Sequence, residues 1–223
     1  PAKGGAGAAP ATSAALVGAG AAAIKAGAEY ESAFRDVQKT VNAPEGQNAE
    51  QFYENLSDSI RQMAKEMPQS AAEIAEVTAA AGQLGIQAQN LSEFTKAMVM
   101  MGDATNLSSD EASTALAKFA NITGMDQTKF TNLGSSIVAL GNNMATTEAD
   151  IVGMATRLAA AGSQVGMSES QIMGFAAALS SVGMNAEAGG SAFSRVMVNM
   201  QLATETGGES LQQFASVAGM SSA

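Results

Sequence analysis

Glycines punctuate this chain more strictly than any other residue type. Gly85, Gly102, Gly124, Gly141, Gly166, Gly183 and Gly219 each fall just after a run of apolar residues spaced for one helical face. A glycine there can take the left-handed conformation that closes a helix, which a residue with a Cβ resists. In several cases a large apolar residue follows: Ile86, Met125, Met167, Met184 and Met220. Such a residue can fold back onto the helix it follows and complete the hydrophobic contact of a C-cap.

Helix starts are marked as regularly. Ser70 with Glu73, Ser108 with Glu111, and Ser168 with Gln171 have capping-box spacing, in which each partner satisfies the other's free backbone N–H. Thr147 with Asp150 reads as a further start, and Asn90 and Asp126 can cap two more. The faces between these signals are apolar at helical intervals: Ile74, Val77, Ala81 and Leu84; Leu91, Phe94, Met98 and Met101; Phe130, Leu133, Ile137 and Leu140; Ile172, Phe175, Leu179 and Val182.

No stretch alternates over five or more residues with β-branched or aromatic bias, so nothing reads as a strand. The expected fold class is all-α: a compact array of about 8–10 short helices joined by Gly-containing turns, preceded by a longer N-terminal helix. The expected organisation is a flexible linker over 1–13, an N-terminal helix over 14–40 and a helical core over 41–223. Residues 79–94 (AAAGQLGIQAQNLSEF) resemble 159–175 (AAAGSQVGMSESQIMGF). The spacing drifts after the turn, which favours shared helical grammar over a duplicated helix–turn–helix unit.

Composition narrows the chemistry. The 223 residues include no Cys, His or Trp. Disulfides, most transition-metal sites and any nucleophile activated by histidine are therefore excluded, and no cofactor is expected. The formal charge of −10 repels phosphate, so no nucleic-acid specificity is expected. Charged residues make up only 14%. That is low for a soluble domain and suits a chain that packs against something else. The longest apolar run, Ala14 to Ile24, is about half of what a spanning helix requires. Pro1 in place of an initiator Met suggests a fragment or a processed product.

The remaining motifs point to contacts rather than catalysis. Met98 and Met101 continue the Leu91–Phe94 stripe and read as core, whereas Met100 and Val99 point elsewhere and need a second neighbour. Asn142 and Asn143, within LGNNMATTEADI, could meet a partner backbone, although capping by Thr147 accounts for most of that segment. Gly189 and Gly190 lack the spacing of a phosphate cradle and suit a close helix–helix approach. Met100, Asn142, Asn143, Gly189 and Gly190 form the candidate interaction surface. Carboxylates fall mostly in first helical turns, where capping explains them, so no catalytic residue is assigned.

Five stretches then point to a family: AEYESAFRDVQKTV (28–41), IRQMAKEMPQSAAEIAEVTAAAGQLGI (60–86), FTKAMVMMGDATNLSSDEASTALAKFANITG (94–124), residues 133–197 and LQQFASVAGMS (211–221). In this order and spacing they resemble the core region of phage tail tape measure proteins, from about Ala22 to Ser221. The resemblance implies a structural protein, not an enzyme, and a fragment of a longer chain. The family's members run along the inside of the tail tube and set tail length. The implied partners are the tail tube protein, tail assembly chaperones, tail tip or baseplate proteins, and further copies of the chain. The implied location is the virion tail lumen, with host cytoplasm during assembly, passage ahead of the DNA and membrane contact only at infection. Alternatives are a virion-associated cell-wall hydrolase, a membrane-penetrating module, or an all-α scaffold of a contractile or secretion device.

Overall fold

Capping signals fix where several of the helices start. The computed structural model describes residues 11–206 and 209–219, with side chains from Ala22 to Glu205 and for part of the last helix. Residues 1–10 of the expected linker and the Met220 cap lie outside the described residues. The chain is all-α, and no strand occurs among the described residues. The helices are α1 (Ala11–Thr40), α2 (Ala49–Glu66), α3 (Ala71–Gln83), α4 (Leu91–Ala104), α5 (Ser109–Thr123), α6 (Phe130–Asn143), α7 (Glu148–Gln164), α8 (Glu169–Ser181), α9 (Ala186–Thr206) and α10 (Glu209–Ala218). Short 3₁₀ turns, Ala88–Asn90 and Gln127–Lys129, lead into α4 and α6.

Ser70 Oγ accepts the Glu73 N–H at 3.3 Å while Glu73 accepts the Ser70 N–H at 2.8 Å. Ser108 with Glu111 and Ser168 with Gln171 make the same reciprocal pair at α5 and α8, and Thr147 accepts the Asp150 N–H at α7. Asn90 and Asp126 act differently. Asn90 makes no cap bond and instead donates to Gln127, and Asp126 caps the 3₁₀ turn through the Thr128 N–H.

At the other ends, the backbone N–H groups of Ile86, Met125, Met167 and Met184 reach back five residues to the carbonyls of Ala81, Ala120, Gly162 and Leu179. This closure turns the preceding glycine left-handed, as at Gly124 with φ +71°, and Gly85, Gly166 and Gly183 share that geometry. Gly102 and Gly141 depart from the expectation. They lie inside α4 and α6, whose ends are the extended residues Thr105 and Met144. Here the glycine makes room instead of turning the chain. A Cβ on Gly102 would sit 2.8 Å from the Ser109 backbone nitrogen, and one on Gly141 would collide with Glu148. Each thus admits the first residue of the next helix.

The helices stack in two layers. α1, α3, α5, α7 and α9 pack side by side in that order, and α2, α4, α6 and α8 form the second layer, with α4 against α6 and α6 against α8. The internal similarity is therefore structural and extends to a third copy. Gly85, Gly124 and Gly166 share one place in successive turns. Downstream of them, Leu91, Phe130 and Ile172 share one register position, Phe94, Leu133 and Phe175 a second, and Met101, Leu140 and Val182 a third. The drift in spacing is taken up in helix length between cap and glycine, which leaves the apolar stripes in register.

The stripes are what pack. Phe94 of α4 meets Phe130 of α6 edge-on at 4.6 Å, and Met101 of α4 rests against Gly134 of α6. Between α3 and α4 the buried hydroxyls of Thr78 and Thr95 pair at 3.2 Å. Equivalent turns also dock on each other: Gln127 accepts from the Gln87 N–H and donates to the Gly85 carbonyl. At the first edge, Tyr30, Val37 and Val41 bury against α3, where Gly82 leaves room for Val41 and Thr40. Tyr30 also lies under the Arg61 guanidinium of α2 and bonds to Ser57.

Two predictions follow from the helix ends. Gly124→Val should lower stability by about 1–2 kcal/mol, because a β-branched residue is strained in the left-handed region. Gly102→Ala should also destabilise, by about 1–3 kcal/mol from overpacking, whereas Gly27→Ala should stabilise by about 0.5–1 kcal/mol, as a Cβ there meets nothing within 4 Å. Thermal melts check both signs.

The second prediction concerns acid. The backbone N–H of Ser108, then its hydroxyl, hold the Glu111 carboxyl below its ordinary 4.5. Ser70 does the same for Glu73, and Thr128 for Asp126. A carboxyl whose folded pKa is depressed stabilises the fold above its unfolded value, and that contribution is lost as pH falls through the folded one. Stability should therefore drop as pH falls below about 4.5. Glu111→Gln, which keeps the box as Gln171 does, should flatten that drop, and melting temperature against pH is the readout.

Candidate interaction surface

The layering decides which apolar residues face outward. Met98, Val99 and Met101 are buried, so Val99 finds its neighbour within the chain, while Met100 is 54% exposed. Met100 borders an apolar groove of about 380 Å³ between α4 and α6, floored by Ala97, Gly134 and Val138. Asn142 and Asn143 are both exposed at the end of α6, and Asn143 donates back to the Ala139 carbonyl at 2.8 Å. The groove and the asparagine pair are both on α6.

Gly189 and Gly190 do not belong to an outward surface. Both are buried in α9, where a Cβ would meet the Met154 side chain at 2.6 Å and the Arg157 Cβ at 2.7 Å. The close helix approach that they serve lies within the chain, between α9 and α7.

A second outward patch was hidden from periodicity. Phe175 and Val182 fall on the apolar stripe of α8 that reads as core, yet they are 49% and 76% exposed. Their register equivalents Phe94 and Met101 in α4 are buried. Phe175 packs against Phe193 of α9, at 5.7 Å between ring centroids. On α9 itself, Val196, Val198 and Met200 are also exposed. Among the described residues, no following helix covers the stripe of α8 as α6 covers that of α4. The opposite edge differs, since the outer residues of α2, among them Glu50, Glu54 and Asp58, are polar.

No ionisable side chain lines the α4–α6 groove. The three carboxylates with depressed pKa are helix caps, and among the described residues no group of acidic side chains could hold a metal ion. The ion pairs Lys25–Glu29 and Lys39–Asp36 are solvent-exposed pairs along α1. No helix among the described residues is long and apolar enough to cross a membrane. What the geometry offers is a layered body with an apolar groove on one face and an apolar edge at one end.

A probable tape measure protein of Halomonas phage phiHAP-1 is 26% identical over 131 residues, which is 55% of this chain and 15% of that protein. The chain thus spans a small part of the length of that relative. No solved structure matches. The model of the family described as phage-related minor tail protein matches residues 57–223, from the middle of α2 through every later helix. With three quarters of the sequence inside that match, the chain belongs to the phage-related minor tail protein family.

Proposed function

We propose that this chain is a folded module of a tape measure protein, with a structural role in tail assembly and no chemistry of its own. The observation that carries the reading is the 131-residue similarity to a probable tape measure protein. The stacked helices support it: the body is built to occupy space and touch neighbours. The net charge of −10 suits a protein that shares the tail lumen with DNA without adhering to it. The partners in this reading are the tail tube protein, assembly chaperones and the tip or baseplate.

The fold also bears on how such a module counts toward tail length. As one continuous helix, 223 residues would span roughly 330 Å at 1.5 Å per residue. Folded, the layer of α1, α3, α5, α7 and α9 spans only about 50 Å at 8–10 Å between helix axes. The module therefore acts as a body attached to the ruler, and contributes little ruler length itself.

Deletion of the encoding segment in frame in the parent phage tests this. Electron micrographs should show tails that fail to assemble, or infection-defective tails shortened by no more than about 50 Å. Tails of unchanged length and full infectivity would contradict a tail role. Shortening by roughly 330 Å would contradict the folded module.

A further inference from the structure

α5 has α3 and α7 beside it and α4 behind it, so its exposed residues face away from the second layer. On that side a groove of about 620 Å³ runs between α5 and α7. Its floor is apolar, with Leu107 and Val152 buried and Ala115 and Gly153 half-buried. Its walls are charged in a fixed order. Asp110 and Glu111 line it at the start of α5, and Lys118 lines it about 12 Å further on, two turns at 1.5 Å per residue. α6 returns between α5 and α7, so these two run in the same direction, and Arg157 of α7 stands at the Lys118 end. All four charged side chains are exposed.

Charge decides what fits there. Among the described residues the ion pairs are Lys25–Glu29 and Lys39–Asp36, so Asp110, Lys118 and Arg157 are not ion-paired within the chain. Two negative and two positive groups balance on this face, although the chain as a whole carries −10. A second copy turned end for end presents the same order reversed, with acid against base at both ends of the groove. Thr114 is midway between Asp110 and Lys118, and Gly153 is midway between Ala149 and Arg157. Both are small, and a Cβ on Gly153 would meet only the Ala186 Cβ, at 4.0 Å, so two such faces can approach closely at their centre. Helices of 15 and 17 residues side by side make a face of roughly 25 Å by 20 Å, which buries about 1,000 Å² over both copies, the lower bound for specific pairing.

We infer that the α5–α7 face is a self-association surface whose occupant is a second copy of this chain, paired about a twofold axis near Thr114 and Gly153. Such an interface is isologous, so each contact occurs twice. Asp110 of each copy meets Lys118 of the other, and Arg157 of each meets the acidic helix start that carries Glu111. The contact leaves the apolar edge of α8 and α9 outside it.

Charge reversal in the full 223-residue chain tests the pairing. In sedimentation velocity from about 1 to about 100 µM the native chain should reach a dimer, and added salt should weaken it. Asp110→Lys and Lys118→Asp should each weaken dimerisation about tenfold or more, since like charges then face each other twice. An equimolar mixture of these two variants should dimerise again, because both contacts in the mixed pair become attractive. Circular dichroism and a melt establish that each variant is folded, and the native chain tests the claim even where a variant is not. A native chain that stays monomeric over that range would overturn the inference. A dimer indifferent to both substitutions, or a mixture no more associated than its components, would overturn it as well.

Discussion

Phe130 of α6 rests edge-on against Phe94 of α4, and that contact stands for the rule by which the whole array is built. In the second layer, α4 and α6 each carry two apolar stripes. One lies over the helix before it and the other waits for the helix after it. Everything else is arranged so that these stripes meet. The capping boxes set where a helix begins, the left-handed glycines set where it ends, and helical glycines admit neighbours where layers come too close for a Cβ. A helix of 13–18 residues is marginal alone, so each depends on its neighbours for stability.

This construction explains a composition that would otherwise suggest an unstable chain. Charged residues are few because much of each helix surface is interface. Some acidic residues also act as caps, as Glu73 and Glu111 do, which places their negative charge at helix starts. Alanine and glycine are abundant where the layer of α3, α5, α7 and α9 is closely spaced: Ala75, Ala81, Ala117, Ala155 and Ala159 are buried between helices, and Gly190 lets α9 reach the Cβ of Arg157. A body assembled this way has an edge at each end, and the two edges differ. One is polar through α2, and the other is apolar through α8 and α9.

Local signals in the sequence carry much of this and non-local ones little. Ser70, Ser108 and Ser168 are read as helix starts because a capping box is complete within four residues. Gly124 and Gly166 are read as ends for the same reason. Gly102 and Gly141 mislead because a helix-terminal glycine and a glycine admitting the next helix look alike until Ser109 and Glu148 are placed. Phe175 and Val182 mislead because a helical stripe tells only that a face wants burial, and its partner is set by the order of repeats. The surface residues divide on the same line. Met100 is separated from its buried neighbours by helical phase alone, whereas the burial of Gly189 and Gly190 depends on α7. The repeat itself was obscured by unequal helix lengths and becomes plain once α3, α5 and α7 are seen side by side.

A body held together by neighbour-to-neighbour stripes should not be equally stable along its length. Residue-resolved hydrogen exchange of the native chain measures this most directly. The account predicts slowest exchange in α4, α5 and α7, where both stripes are covered, with protection falling stepwise through α8 and α9 and toward the start of α1. Fast exchange in α4, α5 and α7, or one uniform level of protection from α1 to α10, would contradict it.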